Sequence, residues 1–156
     1  MGTGSGVGAV FAAQWAAKVV AVDVNPTAVR CARINALLNG VEDRVEVREG
    51  DLFTPVAGEK FDVVLFNPPY ISGSAKNELE KAFFSTGVAG RFAEGLREHL
   101  LPGGYALLIL SDIGGDFEND FLSALQQRGI KVKTLAKKEM VSETISIYQT
   151  EPRPIP

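Results

Sequence analysis

Apolar and polar positions change period repeatedly along the chain, and the changes mark out alternating strands and helices. Residues 2–8 are glycine-rich and predict a loop, followed by a short helix over Ala9 to Ala17 whose small residues suit close packing on a sheet. Lys18-Val19-Val20-Ala21-Val22 is continuously apolar after its lysine, predicting a strand covered on both faces that ends at Asp23. The clearest helix comes next. Asn25 caps it, Pro26 fits its first turn, Gly40 ends it after Asn39, and Val29, Ala32, Ala36 and Leu37 form its predicted apolar face.

Val45 to Arg48 alternates apolar and charged residues, which predicts a partly exposed strand, with a loop starting at Gly50-Asp51-Leu52-Phe53. Phe61 to Phe66 predicts a more deeply buried strand. Asn67-Pro68-Pro69 must end it, because proline donates no ladder hydrogen bond and forces extended geometry on the residue before it. After the polar stretch Ser72 to Lys76, two helical pieces are expected up to Leu101, and Pro102-Gly103-Gly104 turns the chain into a strand over Tyr105 to Leu110. Phe117 to Arg128 has helical spacing and stops at Gly129. Ile130 to Leu135 and Thr144 to Tyr148 read as closing strands, antiparallel across the link Ala136 to Glu143. The alternation implies a doubly wound α/β fold, a mostly parallel sheet with an antiparallel C-terminal edge. Residues 1–151 are expected to form one catalytic domain and residues 152–156 an extended tail.

Composition narrows the chemistry. At 156 residues, 46% hydrophobic and 22% charged, the chain matches a single globular domain. No apolar run approaches the roughly 20 residues of a membrane span, the start does not read as a signal peptide, and Gly6 stands where a myristoylation motif needs Ser or Thr. A cytoplasmic protein is expected. Cys31 and His99 are the only residues of their kinds, which removes disulfides, Cys/His zinc clusters, Ser-His-Asp triads and Cys-His pairs. No metal is expected. Cys31 reads as a buried, inert thiol, His99 as a surface residue near a helix end, Trp15 as packing within the first helix and Asp112 as a turn residue. A net charge of -3 gives no overall attraction to phosphate backbones, and Lys131, Lys133, Lys137 and Lys138 read as solvated edge protection more than as a basic patch.

Two motifs carry functional information. Gly2-Thr3-Gly4-Ser5-Gly6 places glycines where a backbone turns sharply and passes close to a ligand, just ahead of a helix with unpaired first amides. Asp23, at the end of the next strand, is separated from the loop as an acid that meets a ribose hydroxyl would be, so the pair points to a nucleoside-containing cofactor. Gly4-Ser5-Gly6-Val7-Gly8-Ala9 also satisfies the dinucleotide pattern G-x-G-x-x-G/A, which keeps a nicotinamide-dependent oxidoreductase as a rival.

The second motif is Asn67-Pro68-Pro69-Tyr70. Asn67 offers a side-chain carbonyl, and the prolines fix the backbone and leave the Pro68 carbonyl free of a competing local amide. A substrate NH2 donating to both acceptors is oriented with its lone pair toward an electrophile, while the developing positive charge is stabilised. Pro69 is the rigid support and Tyr70 a surface for a flat amide or base. The implied reaction is methyl transfer to a planar nitrogen.

With these motifs the chain resembles class I S-adenosylmethionine-dependent methyltransferases of the HemK type, which methylate the glutamine of the Gly-Gly-Gln loop in peptide-chain release factors. The resemblance covers nearly the whole chain and implies a Rossmann-like fold with S-adenosyl-L-methionine as cofactor. It assigns Gly2, Thr3, Gly4, Ser5 and Gly6 to the methionine-binding loop, Asp23 with Val24 to the ribose, and Asp51 with Leu52 to the adenine. Asn67 to Tyr70 becomes the substrate-amide clamp, with Asn67 also facing the cofactor. Phe66 and Asn25-Pro26 are similar to the archaeal and eukaryotic branch of that family. Enzymes that methylate adenine or guanine amino groups of RNA and DNA share the clamp, so nucleic acid stays an alternative substrate; the acidic net charge favours protein. The family carries a central strand, and an acidic residue two positions before the first glycine, where this sequence begins at Met1-Gly2. The family's N-terminal substrate-recognition region is expected to be missing as well. The expectation is a fragment, a misplaced start or a non-catalytic remnant, or else a vacancy filled by a second copy of the chain or by a small zinc-binding activator subunit.

Overall fold

Strand and helix alternate through residues 1–68 and 78–152, which the computed structural model describes, and the chain divides into two units, Met1–Ala57 and Gly58–Pro156. The first unit runs α1 (Val7–Ala12), β1 (Val19–Asp23), α2 (Pro26–Leu38), β2 (Val45–Glu49) and a 3-10 turn at Thr54–Val56. β1 and β2 pair in parallel from Val19 opposite Val45 to Asp23 opposite Glu49, with α2 as the crossover a parallel pair requires. α1 is shorter than its expected span. The amides of Gln14 and Trp15 bond only three residues back, to Phe11 and Ala12, so the helix tightens into a turn and Trp15 is left 74% exposed. Trp15 therefore does not pack into the unit; its ring meets that of Phe11 with centroids 5.6 Å apart.

α2 starts and stops where its sequence directs. The Asn25 side chain accepts from the Thr27 amide at 2.9 Å, Pro26 is the first helical residue, and the Gly40 and Val41 amides close the end on the Leu37 and Ala36 carbonyls. Val29, Ala32 and Ala36 are buried with Ala9, Ala13, Ala21, Val41, Val45 and Val47, a core of small side chains that brings helices close to the strand pair. Leu37 and Cys31 correct two expectations. Each lies one residue, about 100°, off the stripe at 29, 32 and 36, and both are exposed.

The second unit has a four-stranded sheet in the order β3-β4-β6-β5, from β3 (Phe61–Phe66), β4 (Leu100–Ser111), β5 (Ile130–Glu139) and β6 (Thr144–Pro152), with α3 (Glu78–His99) and α4 (Phe117–Gln127). β3 and β4 are parallel; β4 with β6 and β6 with β5 are antiparallel, so the expected antiparallel end is present. The two pieces expected before Leu101 are one 22-residue helix, whose buried residues Ala89, Phe92, Ala93 and Leu96 follow helical spacing. Pro102-Gly103-Gly104 lies inside β4, at the irregularity in its pairing with β3. The closing strands outrun their predicted ends, and a Met140 amide to Glu143 carbonyl bond of 2.8 Å closes the hairpin. Pro152, expected to open the tail, is the last residue of β6, and residues 153–156 lie outside the described ones.

Phe66, Phe92, Phe117 and Phe121 form the aromatic centre of this unit, with Phe66 and Phe92 centroids 4.8 Å apart. Truncating a buried phenylalanine to alanine costs about 3–5 kcal/mol, so Phe66 holds the end of β3 firmly. The expectation of a deeply buried β3 is corrected: Val64 and Phe66 are buried, whereas Val63 and Leu65 on the opposite face are each 39% exposed. β5 ends the sheet order with all four of its lysines exposed, as edge protection requires. Asp112 serves its turn by accepting the Thr144 amide at 2.7 Å, the bond that chiefly lowers its carboxyl pKa. Among the described residues no helix is long and apolar enough to cross a membrane.

Burial first, then the 2.6 Å hydrogen bond it donates to Glu118, push the Tyr148 phenol above its ordinary 10.0. The folded state favours the protonated phenol, so its stabilisation is complete below pH 10.0 and is lost as pH rises through the raised value. An alkaline absorbance titration should show the Tyr148 transition moved earlier by Glu118→Ala. A titration curve unchanged in the variant would contradict the assignment.

Candidate functional site

In the first unit, the carboxyl end of β1 organises the residues the sequence assigned to the cofactor other than Asn67, which belongs to the second unit. Gly2, Gly4 and Gly6 have φ of 57°, 54° and 83°, so the loop folds back on itself at alternate residues. The Thr3 amide donates to the Val22 carbonyl at 2.9 Å and the Gly6 amide to the Thr3 carbonyl at 2.8 Å. Asp23 accepts the Gly4 amide on Oδ2 at 2.8 Å and the Asn25 amide on Oδ1 at 2.9 Å. One carboxylate thus ties the glycine loop to the start of α2. Each of its oxygens retains a further lone pair, which suits a ribose diol.

The Gly50 amide donates to the Asp23 carbonyl at 2.9 Å, which brings the Asp51 and Leu52 loop to the same end of the β1–β2 pair. Leu52 sits at φ 47°, a backbone conformation that costs a side-chain-bearing residue about 1–3 kcal/mol. Asp51 and Val24 are exposed. A Cβ added at Gly4 would meet no atom within 4 Å, so the outer side of the loop is open. An open glycine loop, a carboxylate with spare acceptors and a neighbouring apolar residue fit a nucleoside bearing an amino-acid tail.

In the second unit, Asn67 and Pro68 stand at the carboxyl end of β3, directly after the anchored Phe66. Asn67 is exposed, whereas Pro68 is fully buried, so the backbone is fixed at the point where the carboxamide is presented. Pro69 and Tyr70 lie outside the described residues. His99 corrects another expectation. It is 7% exposed, and its Nδ1 donates to the Gly95 carbonyl at 2.7 Å. The adjoining Leu100 pairs with Phe61, at the far end of β3 from Asn67, so the imidazole is not placed to act as a base on a group held there.

Asn35 is the site residue that the sequence reading passed over: its Nδ2 donates to the Ser5 carbonyl at 2.7 Å. The available signal was position, since Asn35 lies one turn after Ala32, against which Gly6 packs.

A family model described as methyltransferase small domain matches residues 1–116. A Methanocaldococcus jannaschii protein named as a candidate protein N5-glutamine methyltransferase is 35% identical over 156 residues, covering 94% of this chain and 77% of that protein. The release factor glutamine methyltransferase of Aquifex aeolicus is 34% identical over 124 residues, and the match takes in 72% of this chain but 43% of the relative, so the chain spans less than half of it. Among solved structures, a methyltransferase from Pyrococcus furiosus has a TM-score of 0.74 at 24% identity, over 97% of this chain and 73% of its own. That likeness shows a Rossmann-like α/β fold.

Proposed function

The chain belongs to the methyltransferase small domain family, and from that premise we propose that it is an S-adenosylmethionine-dependent N-methyltransferase acting on the side-chain amide of a protein glutamine. The observation that carries the reading is Asn67-Pro68 at the carboxyl end of β3, with a fixed backbone and an exposed carboxamide. Two relatives carry names for glutamine methylation, which supports an amide over a nucleobase as the acceptor.

Gly2 to Gly6 would hold the cofactor's methionine half, Asp23 and Val24 its ribose, and Asp51 with Leu52 its adenine. Bound there, the cofactor supplies a methyl group on positively charged sulfur. Asn67 Oδ1 and the Pro68 carbonyl accept the two hydrogens of the substrate NH2, which prevents the amide from rotating and aims its lone pair out of its own plane. The same acceptors stabilise positive charge as it develops on nitrogen. Pro69 would brace the clamp, with Tyr70 lying against the amide plane. The nitrogen's proton leaves to water, so no imidazole is needed. The single thiol, Cys31, is exposed and suits a reducing compartment, in keeping with a cytoplasmic enzyme. A second copy of the chain or a small activator subunit belongs to the same reading, supported by the pairing of β3 on one side only among the described residues.

Calorimetry separates this reading from the oxidoreductase. Binding of S-adenosylmethionine without NAD is expected, and the reverse would overturn the proposal. Asp23→Ala should weaken cofactor binding by about tenfold or more, since it removes both the ribose acceptor and the tie to Gly4. Unchanged affinity in that variant would remove Asp23 from the site.

A further inference from the structure

We infer that Asn35, on α2, is a positioning residue for the cofactor loop; the inference rests on the reading of Gly2 to Gly6 as that loop. The peptide unit between Ser5 and Gly6 is held at both of its polar ends. Its carbonyl accepts from Asn35 Nδ2 at 2.7 Å, and its amide donates to the Thr3 carbonyl at 2.8 Å. A peptide plane with one bond on each side cannot flip without breaking one of them. The Asn35 bond spans 30 positions of sequence and is the long-range one of the two. Ala32, one turn earlier on α2, lies so close to Gly6 that an added Cβ would come within 2.8 Å of its Cα. α2 thus serves as a backboard for the loop, touching it through Ala32 and gripping it through Asn35.

Three glycines at positive φ give such a loop many alternatives to the ligand-ready shape. Ordering them on binding would weaken affinity, and a grip formed before binding removes that cost. Asn35 is suited to the task because its carboxamide brings a donor to a carbonyl, whereas aspartate of the same shape would set a carboxylate against the Ser5 oxygen. Its effect belongs to cofactor binding and not to the transfer step, so the expected signature is a raised cofactor Kd and KM with kcat preserved at saturation.

The test measures S-adenosylmethionine binding by calorimetry and loop amide exchange by NMR on the parent, Asn35→Ala, Asn35→Asp and Asn39→Ala. Asn39 donates to the Asn35 carbonyl at 2.8 Å, so its removal perturbs the same helix without touching the loop. Asn35→Ala should bind about three- to tenfold more weakly, Asn35→Asp more weakly still, and Asn39→Ala like the parent. Without cofactor, the Gly6 amide should exchange faster in both Asn35 variants and not in Asn39→Ala. Parent-like affinity and exchange in the Asn35 variants would overturn the inference while leaving the cofactor reading intact, and equal weakening by Asn39→Ala would reduce Asn35 to a general helix effect. Failure of the parent to bind would overturn the reading of the loop and this inference with it.

Discussion

Asn67→Ala should lower methyl transfer at saturating cofactor by roughly 100- to 1,000-fold, the range found when one preorganised hydrogen-bonding group is removed from a reacting centre. The loss should fall on kcat, because the Asn67 carbonyl meets the substrate nitrogen most strongly as positive charge develops there. Cofactor affinity should stay within about threefold of the parent, since Gly2 to Gly6 and Asp23 remain. The fold should survive as well: Asn67 is exposed, and Phe66 and Pro68 on either side of it are the buried anchors. Single-turnover transfer together with calorimetry measures both quantities. Parent-like turnover in Asn67→Ala would remove the clamp from the chemistry.

Gly6→Ala should be strongly damaging to the first unit. Gly6 sits at φ 83°, and its new Cβ would lie 2.8 Å from Ala32 Cα and 2.9 Å from Ala32 Cβ. The left-handed backbone costs about 1–2 kcal/mol and the overpacking about 1–3 kcal/mol, so a loss of roughly 2–5 kcal/mol in stability is expected. Relief requires α2 to move outward, which pulls Asn35 from the Ser5 carbonyl and should remove most cofactor binding. Gly8→Ala is the matched comparison, because a Cβ there meets no atom within 4 Å and alanine suits the interior of α1. Denaturant unfolding should place Gly8→Ala at or slightly above parent stability and Gly6→Ala well below it. Equal stabilities would show that the contact between the loop and α2 is not tight.

The parts of the molecule that were legible beforehand are those written locally. Asn25, Pro26 and Gly40 set the limits of α2 through bonds within a few residues, and Pro68 ends β3 by what its own ring forbids. The glycine loop and Asp23 were readable because backbone freedom and strand-end position are properties of single residues. What escaped depended on distant partners or on helix phase. His99 reads as surface from its place near a helix end, but it follows Leu96 by three positions and so shares the buried face of α3. Cys31 is apolar enough for a core, yet the turn of α2 carries it off the stripe at 29, 32 and 36. Asn35 acts through a bond to Ser5, 30 positions away in sequence. Val63 and Leu65 have the composition of a buried strand, but their exposure depends on what lies over one face of the sheet.

The most direct measurement is transfer of labelled methyl from S-adenosylmethionine by the purified chain, offered a release factor bearing a Gly-Gly-Gln loop, its Gly-Gly-Asn variant, and RNA. The account predicts label in the first alone, recovered on the glutamine side-chain nitrogen. Label in RNA and none in the protein, or equal labelling of the Gly-Gly-Asn variant, would contradict it.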